Sequence, residues 1–130
     1  MPPNAEPPMR DPLTEKVIGF AIEVHKGLGP GLLESAYVEC LSWELGNAGL
    51  DFEREISLPV SYKGIKLDCG YRMDLLVERR LIIEVKAVER LQPVHEAQLL
   101  TYLRLSGIRT GLLLNFFVPY LRDGIKRLVL

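Results

Sequence analysis

The chain has 130 residues, 48% hydrophobic and 25% charged, the balance of one globular domain; this excludes a disordered, collagen-like or coiled-coil chain. Sixteen bases against 17 acids leave a formal net charge of −1, so no global field draws the protein to nucleic acid. The split is uneven, however: residues 1–90 hold 11 bases and 15 acids and residues 91–130 hold 5 and 2, which would suit an acidic metal pocket beside a phosphate-binding rim.

Five of the nine prolines fall within the first twelve residues, so 1–11 reads as a disordered tail and 12–130 as the domain. The N-terminus lacks the basic start and apolar run of a signal peptide, and no stretch reaches the roughly 20 apolar residues of a membrane helix. Asp11-Pro12 is a helix start, and Leu13, Val17, Phe20, Ala21, Val24 and Leu28 recur at helical spacing behind it. Gly27 to Gly31 breaks that helix. A second is predicted from about Leu32 to Ala48, with Leu33, Tyr37, Leu41 and Leu45 on its core stripe and Gly49 at its end.

From Asp51 the period changes to two, and Phe52, Arg54, Ile56, Leu58 and Val60 form one face of a strand. After the Lys63-Gly64 turn, Ile65 to Val77 reads as continuously extended, and Leu81 to Ala87 as a strongly apolar strand beyond a polar turn at Glu78-Arg79-Arg80. Pro93 opens a helix to about Leu105, closed by Gly107; Gly111 to Phe117 is a buried strand, and Ile125 to Leu130 a short last element. The predicted class is α/β, a central mixed sheet flanked by helices. Cys40 and Cys69 form neither a zinc spacing nor a disulfide framework, which fits free thiols in a reducing cytoplasm.

Asp74 and Glu84 stand out because apolar residues surround both. Residues i and i+2 of a strand share a face, so Glu84 and Lys86 point the same way. A three-residue loop at 78–80 pairs Val77 with Leu81 and sets Asp74 opposite Glu84; a two-residue loop would set Asp74 opposite Val85. The first register gathers two carboxylates and a lysine on one face and is preferred for that reason. Two carboxylates completed by water and phosphate oxygens suit Mg²⁺, while an Asp/Glu–Lys ion-pair cluster fits the same spacing.

Asp74, nine residues, then Glu84-Val85-Lys86 resembles the D…(D/E)-x-K pattern of the PD-(D/E)XK phosphodiesterase superfamily, with Met73 where proline usually precedes the aspartate. Gly31-Leu-Leu-Glu34-Ser-Ala-Tyr37 resembles the signature of the GxxExxY family within that superfamily, and Val24 to Pro30 looks like the same family. Gln98 and Tyr102 resemble the Q-x-x-x-Y motif of RecB-like nucleases, and the segments 111–116 and 121–127 the family's closing part. The resemblance covers residues 13–128.

It implies a restriction-endonuclease-like fold and hydrolysis of the DNA backbone with Mg²⁺ or Mn²⁺. Asp74, Glu84, the Val85 carbonyl and Glu34 would face the metal; Lys86 would act on water and phosphate, and Gln98 and Tyr102 would position. Tyr37 would pack, its hydroxyl bonding to the site. Arg104, Arg109, Arg122, Lys126 and Arg127 are the candidate phosphate contacts of a DNA-binding surface, to which a homodimer or larger partner protein would add. The rival expectation is a catalytically silent nuclease fold serving as a nucleic-acid- or protein-binding module. His25 and His95 read as surface or satisfied histidines, and the glycines around Pro30 as a turn rather than a phosphate loop.

Overall fold

The computed structural model describes residues 11–130; the expected Pro-rich tail lies outside them except for Asp11. Two helices, α1 (Pro12–Leu28) and α2 (Glu34–Asn47), precede strands β1 (Phe52–Ser57), β2 (Val60–Tyr62), β3 (Ile65–Leu67), β4 (Arg72–Val77) and β5 (Leu81–Lys86). Helix α3 (Pro93–Ser106), β6 (Thr110–Asn115), a 3-10 turn (Leu121–Gly124) and β7 (Ile125–Val129) follow. Five strands form one sheet in the order β1-β4-β5-β6-β7, antiparallel except for the parallel β5–β6 pair, and β2 and β3 form a separate hairpin. This is a mixed sheet between helical layers, as a restriction-endonuclease-like core requires.

Local chemistry accounts for the helix ends. The Asp11 carboxylate accepts from the Thr14 N–H (3.0 Å) and hydroxyl (2.8 Å), with Pro12 in the first turn. Helix α2 starts at Glu34, two residues later than predicted: Leu33 is still extended and caps the helix without a side-chain bond, and the Leu32 N–H is taken by the Tyr37 hydroxyl at 3.0 Å. Helix α3 is capped by a histidine: the Gln92 N–H donates to His95 Nδ1 at 2.9 Å.

The two faces of the sheet bury different clusters. Leu75, Val77, Leu81, Ile83, Val85, Leu112 and Leu114 pack against α1 and α2. Met73, Leu76, Ile82 and Leu113 pack against Leu99, Tyr102 and Leu103 of α3. On β5 the odd positions therefore serve the first cluster, and Glu84 and Lys86 lie on the face of α3.

Three strand expectations change. The stretch from Ile65 to Val77 is interrupted at 68–71, where Asp68 Oδ1 accepts from the Gly70 N–H and Gly70 adopts φ +78°. The stretch from Phe52 to Val60 likewise divides into β1 and β2. Nor do its residues share one face: Phe52 packs on the α1–α2 side, while Ile56 and Leu58 join the α3 side. The cause is Glu55, a non-glycine residue at φ +51° in mid-strand. The β1–β4 pairing runs Arg54↔Leu75, then Ile56↔Met73, leaving Glu55 and Asp74 unpaired between them, and Ile56 and Met73 both turn to the other cluster.

A left-handed conformation costs an L-residue about 1–2 kcal/mol, a penalty glycine escapes. Glu55→Gly is therefore expected to be more stable than Glu55→Ala by about 1 kcal/mol in urea denaturation, the reverse of the order at an ordinary strand position. Equal stability, or a more stable alanine variant, would contradict the strained geometry.

Candidate active site

The β4–β5 hairpin takes the three-residue register: Val77 pairs with Leu81, Leu76 with Ile82 and Leu75 with Ile83. Glu78 and Arg79 make the turn with φ +52° and +53°. The ladder stops there. Continuing the register sets Asp74 opposite Glu84, and side chains replace the next backbone acceptors. The Asp74 N–H donates to Glu84 Oε2 at 2.8 Å, and the Val85 N–H donates to Asp74 Oδ2 at 2.8 Å. Each carboxylate thus holds the other residue's strand in place and keeps one oxygen, Asp74 Oδ1 or Glu84 Oε1, without a protein donor among the described residues.

Other elements bring further groups to this end of the sheet. Glu34, exposed in the first turn of α2, accepts from the Ala87 N–H at 3.2 Å, so it reaches over the sheet edge to the residue following β5. Lys86 Nζ donates to Gln98 Oε1 at 3.4 Å and makes no ion pair with Asp74 or Glu84 among the described residues. Gln98 lies one turn from Tyr102 on the same face of α3, close enough to act on its hydroxyl. Asn115 fastens the loop after β5, donating to the Val88 carbonyl at 2.9 Å and accepting from the Val88 N–H at 3.1 Å.

The electrostatics follow from crowding acids into apolar surroundings. Burial pushes Glu84, 3% exposed, up to about 8, with the Asp74 charge adding to the effect. Burial also raises Asp74, against the opposing pull of the Val85 N–H and Lys86. The Tyr102 hydroxyl is pushed up to about 12 by burial and then by the charges of Glu84 and Asp74. The lysine therefore only partly offsets the repulsion between the carboxylates.

Among the described residues no three Asp, Glu, His or Cys side chains form a metal-holding group by themselves. A pair of facing carboxylates, each with an uncommitted oxygen and each destabilised when charged, nevertheless fits a divalent cation that keeps part of its water shell.

Of the twelve side chains singled out in the sequence, the structure gathers Glu34, Asp74, Glu84, Lys86, Gln98 and Tyr102. Val85 contributes backbone. The Tyr37 hydroxyl does not reach this group: it donates to the Gly29 carbonyl at 2.6 Å and so fastens the α1–α2 loop. The basic residues scatter. Arg104 lies six residues beyond Gln98 on α3, about 9 Å along the axis. Arg109 precedes Thr110, the partner of Leu81, about 10 Å or more along the strands from the row of Glu84, and donates to the Leu130 carbonyl. Arg127 pairs with Leu112 on the α1 side of the sheet. Lys126 is ion-paired to Glu96 at 2.9 Å, and Arg122 lies in the 3-10 turn. Sequence reading missed Glu55, whose charge acts on Asp74, and Tyr71, which meets Tyr102 edge-on at 6.5 Å. Both lie in segments read as regular strand, where only a distortion marks them.

A model of the PD-(D/E)XK nuclease superfamily matches residues 11–128, and the chain belongs to that superfamily. No curated protein and no solved structure matches it significantly.

Glu84 has a testable pH signature. Its carboxyl is raised in the folded protein from 4.5 to about 8, so the stability gained from holding that proton is complete below pH 4.5 and disappears as pH rises through 8. In EDTA, wild type should lose on the order of a few kcal/mol between pH 5 and 9 relative to Glu84→Gln, which keeps the acceptor for the Asp74 N–H but cannot ionise. Parallel melting-temperature profiles for the two proteins would show that Glu84 is not raised.

Proposed function

For this member of a nuclease superfamily, we propose metal-dependent hydrolysis of a nucleic-acid phosphodiester bond, with DNA as the substrate. The observation that carries the reading is the facing pair Asp74–Glu84 with Lys86 one strand position beyond, on the same face and not neutralised by either acid. Superfamily members usually use divalent metals, and Asp74 and Glu84 would hold Mg²⁺ or Mn²⁺ here, with the Val85 carbonyl and Glu34 at the edge of the site. A cation bound there supplies Lewis acidity toward the phosphate and lowers the pKa of the attacking water.

The chain's own groups then have separate tasks. Lys86 carries a positive charge and three donors on a flexible stem, suited to a phosphate oxygen and to the water that attacks it. Gln98 restrains the lysine from α3, with Tyr102 one turn further on the same face. Glu34, anchored to the Ala87 N–H, adds negative charge on the side opposite α3. Glu34 of the GxxExxY motif and Gln98 and Tyr102 of the RecB-like motif are among these residues, which supports assigning the protein to those groups. Among the described residues no helix is long and apolar enough to cross a membrane.

Lys86→Ala should lower Mg²⁺-dependent cleavage of single- or double-stranded DNA by about 10²–10³ while the metal-induced rise in melting temperature persists. Glu84→Ala should abolish both. Cleavage by Lys86→Ala at the wild-type rate, or an undiminished metal shift in Glu84→Ala, would refute the proposed roles.

A further inference from the structure

A second feature lies at the same end of the sheet, on the side of α1. The end of α1 and the segment leading into the 3-10 turn enclose a cleft of about 610 Å³ lined by His25, Lys26, Pro30, Tyr120 and Arg122 among others, with no carboxylate in its wall. Lys26 and Arg122 are exposed and make no hydrogen bond or ion pair among the described residues, unlike Arg54, Arg72 and Lys126, each of which faces a glutamate. Between them Tyr120 shows 68% of its surface to solvent. Two unneutralised cations beside an exposed aromatic ring, on apolar walls, complement a chain of phosphates carrying planar bases.

Both walls are tied to the catalytic strand. On one side, Tyr37 binds both ends of the turn that contains Pro30, through the Gly29 carbonyl at 2.6 Å and the Leu32 N–H at 3.0 Å, and Glu34 next to it contacts Ala87. On the other, the Phe116 N–H donates to the Lys86 carbonyl at 2.9 Å, and His25 Nε2 donates to the Val118 carbonyl at 2.8 Å. The cleft is thus a rigid continuation of the end of β5.

We propose that this cleft seats a single-stranded stretch of nucleic acid flanking the scissile phosphate, with phosphates on Lys26 and Arg122 and a base stacked on Tyr120. The ligand class rests on the nuclease reading; the location rests on the cleft itself. A strand crossing the sheet end would pass from the Asp74–Glu84 face over Glu34 and the Pro30 turn into the cleft. The cleft would then add grip beside the Asp74–Glu84 pair.

The test is fluorescence anisotropy of the full chain with labelled thymidine and uridine 20-mers in EDTA across a salt series. Wild type should bind. Lys26→Ala/Arg122→Ala should reduce the slope of log K against log salt by about 1.4, the contribution of two single-strand phosphate contacts. Tyr120→Ala should weaken binding roughly ten-fold or more without changing that slope. All three positions are exposed, so melting curves should coincide with wild type. Unchanged slope in the double variant, unchanged affinity in Tyr120→Ala, or a wild type that binds neither strand would overturn the proposal; a wild type that captures only proteins or vesicles would do the same. The two readings fail separately: strand binding through Lys26 and Arg122 without cleavage under any divalent metal sinks the nuclease, whereas cleavage indifferent to the cleft variants sinks the cleft.

Discussion

The site depends on one exchange of hydrogen bonds at the point where β4 and β5 stop pairing through their backbones. A ladder ending inside a protein leaves N–H groups that must find acceptors. Here the Asp74 and Val85 N–H groups find them in the opposing carboxylates. That arrangement fixes two acidic side chains face to face on rigid strands, where a flexible loop would let them separate and solvate. It also takes one oxygen from each, so whatever binds between them meets a defined remaining pair. Burial against the α3 cluster makes charge on these oxygens unfavourable, and the cost is concentrated on Glu84.

The distortion at Glu55 belongs to the same device. An edge strand pairing with β4 through its whole length would keep Met73 and Leu75 on one face. With Glu55 and Asp74 unpaired, Met73 instead joins the α3 cluster and the β4 chain is re-aimed where the aspartate leaves it. Local strand irregularities of this sort redirect side chains at functional sites. The helices meet the same end from two sides: α3 brings Gln98 to Lys86, and α2 brings Glu34 to Ala87. A sheet between two helical layers lets groups from both converge only at an edge or an end of its strands, and that is where these residues meet.

Much of this was legible in the residues. Period changes located the three helices and the strands β5 and β6, because those segments are long, strongly apolar or punctuated by Pro and Gly. The Asp74–Glu84 register followed from loop length, since period-two side chains leave few choices once the turn is fixed. Of the breaks that divide 51–77 into four strands, the turn at Lys63-Gly64 was legible and the other two were not. The break after β3 rests on an Asx-type contact at Asp68, and the change of face within β1 on a left-handed Glu55; neither residue type announces that conformation. The five basic residues do not form one rim, for a different reason. Surplus charge in residues 91–130 is a count along the chain, whereas the fold places Arg109 and Arg127 far from Glu84 or beyond the sheet, and neutralises Lys126 with Glu96.

What remains available to a polyanion is therefore decided by pairing in space. Surface cations facing carboxylates at close range contribute little net field, and an ion-paired lysine must give up its partner before it can serve a phosphate. Lys126, Arg54 and Arg72 are in that position. Lys86 is not, because Gln98, a neutral acceptor, holds its ammonium without neutralising it. Lys26 and Arg122 are not, because no carboxylate lines the cleft they share. A protein of net charge −1 can thus present positive charge to a substrate at its working end, provided that no carboxylate faces the cations there. On this argument Lys86, Lys26 and Arg122, cations without a facing carboxylate that lie beside the Asp74–Glu84 end of β5 or line the adjoining cleft, say more about where a nucleic acid would lie than the total charge or its distribution along the sequence.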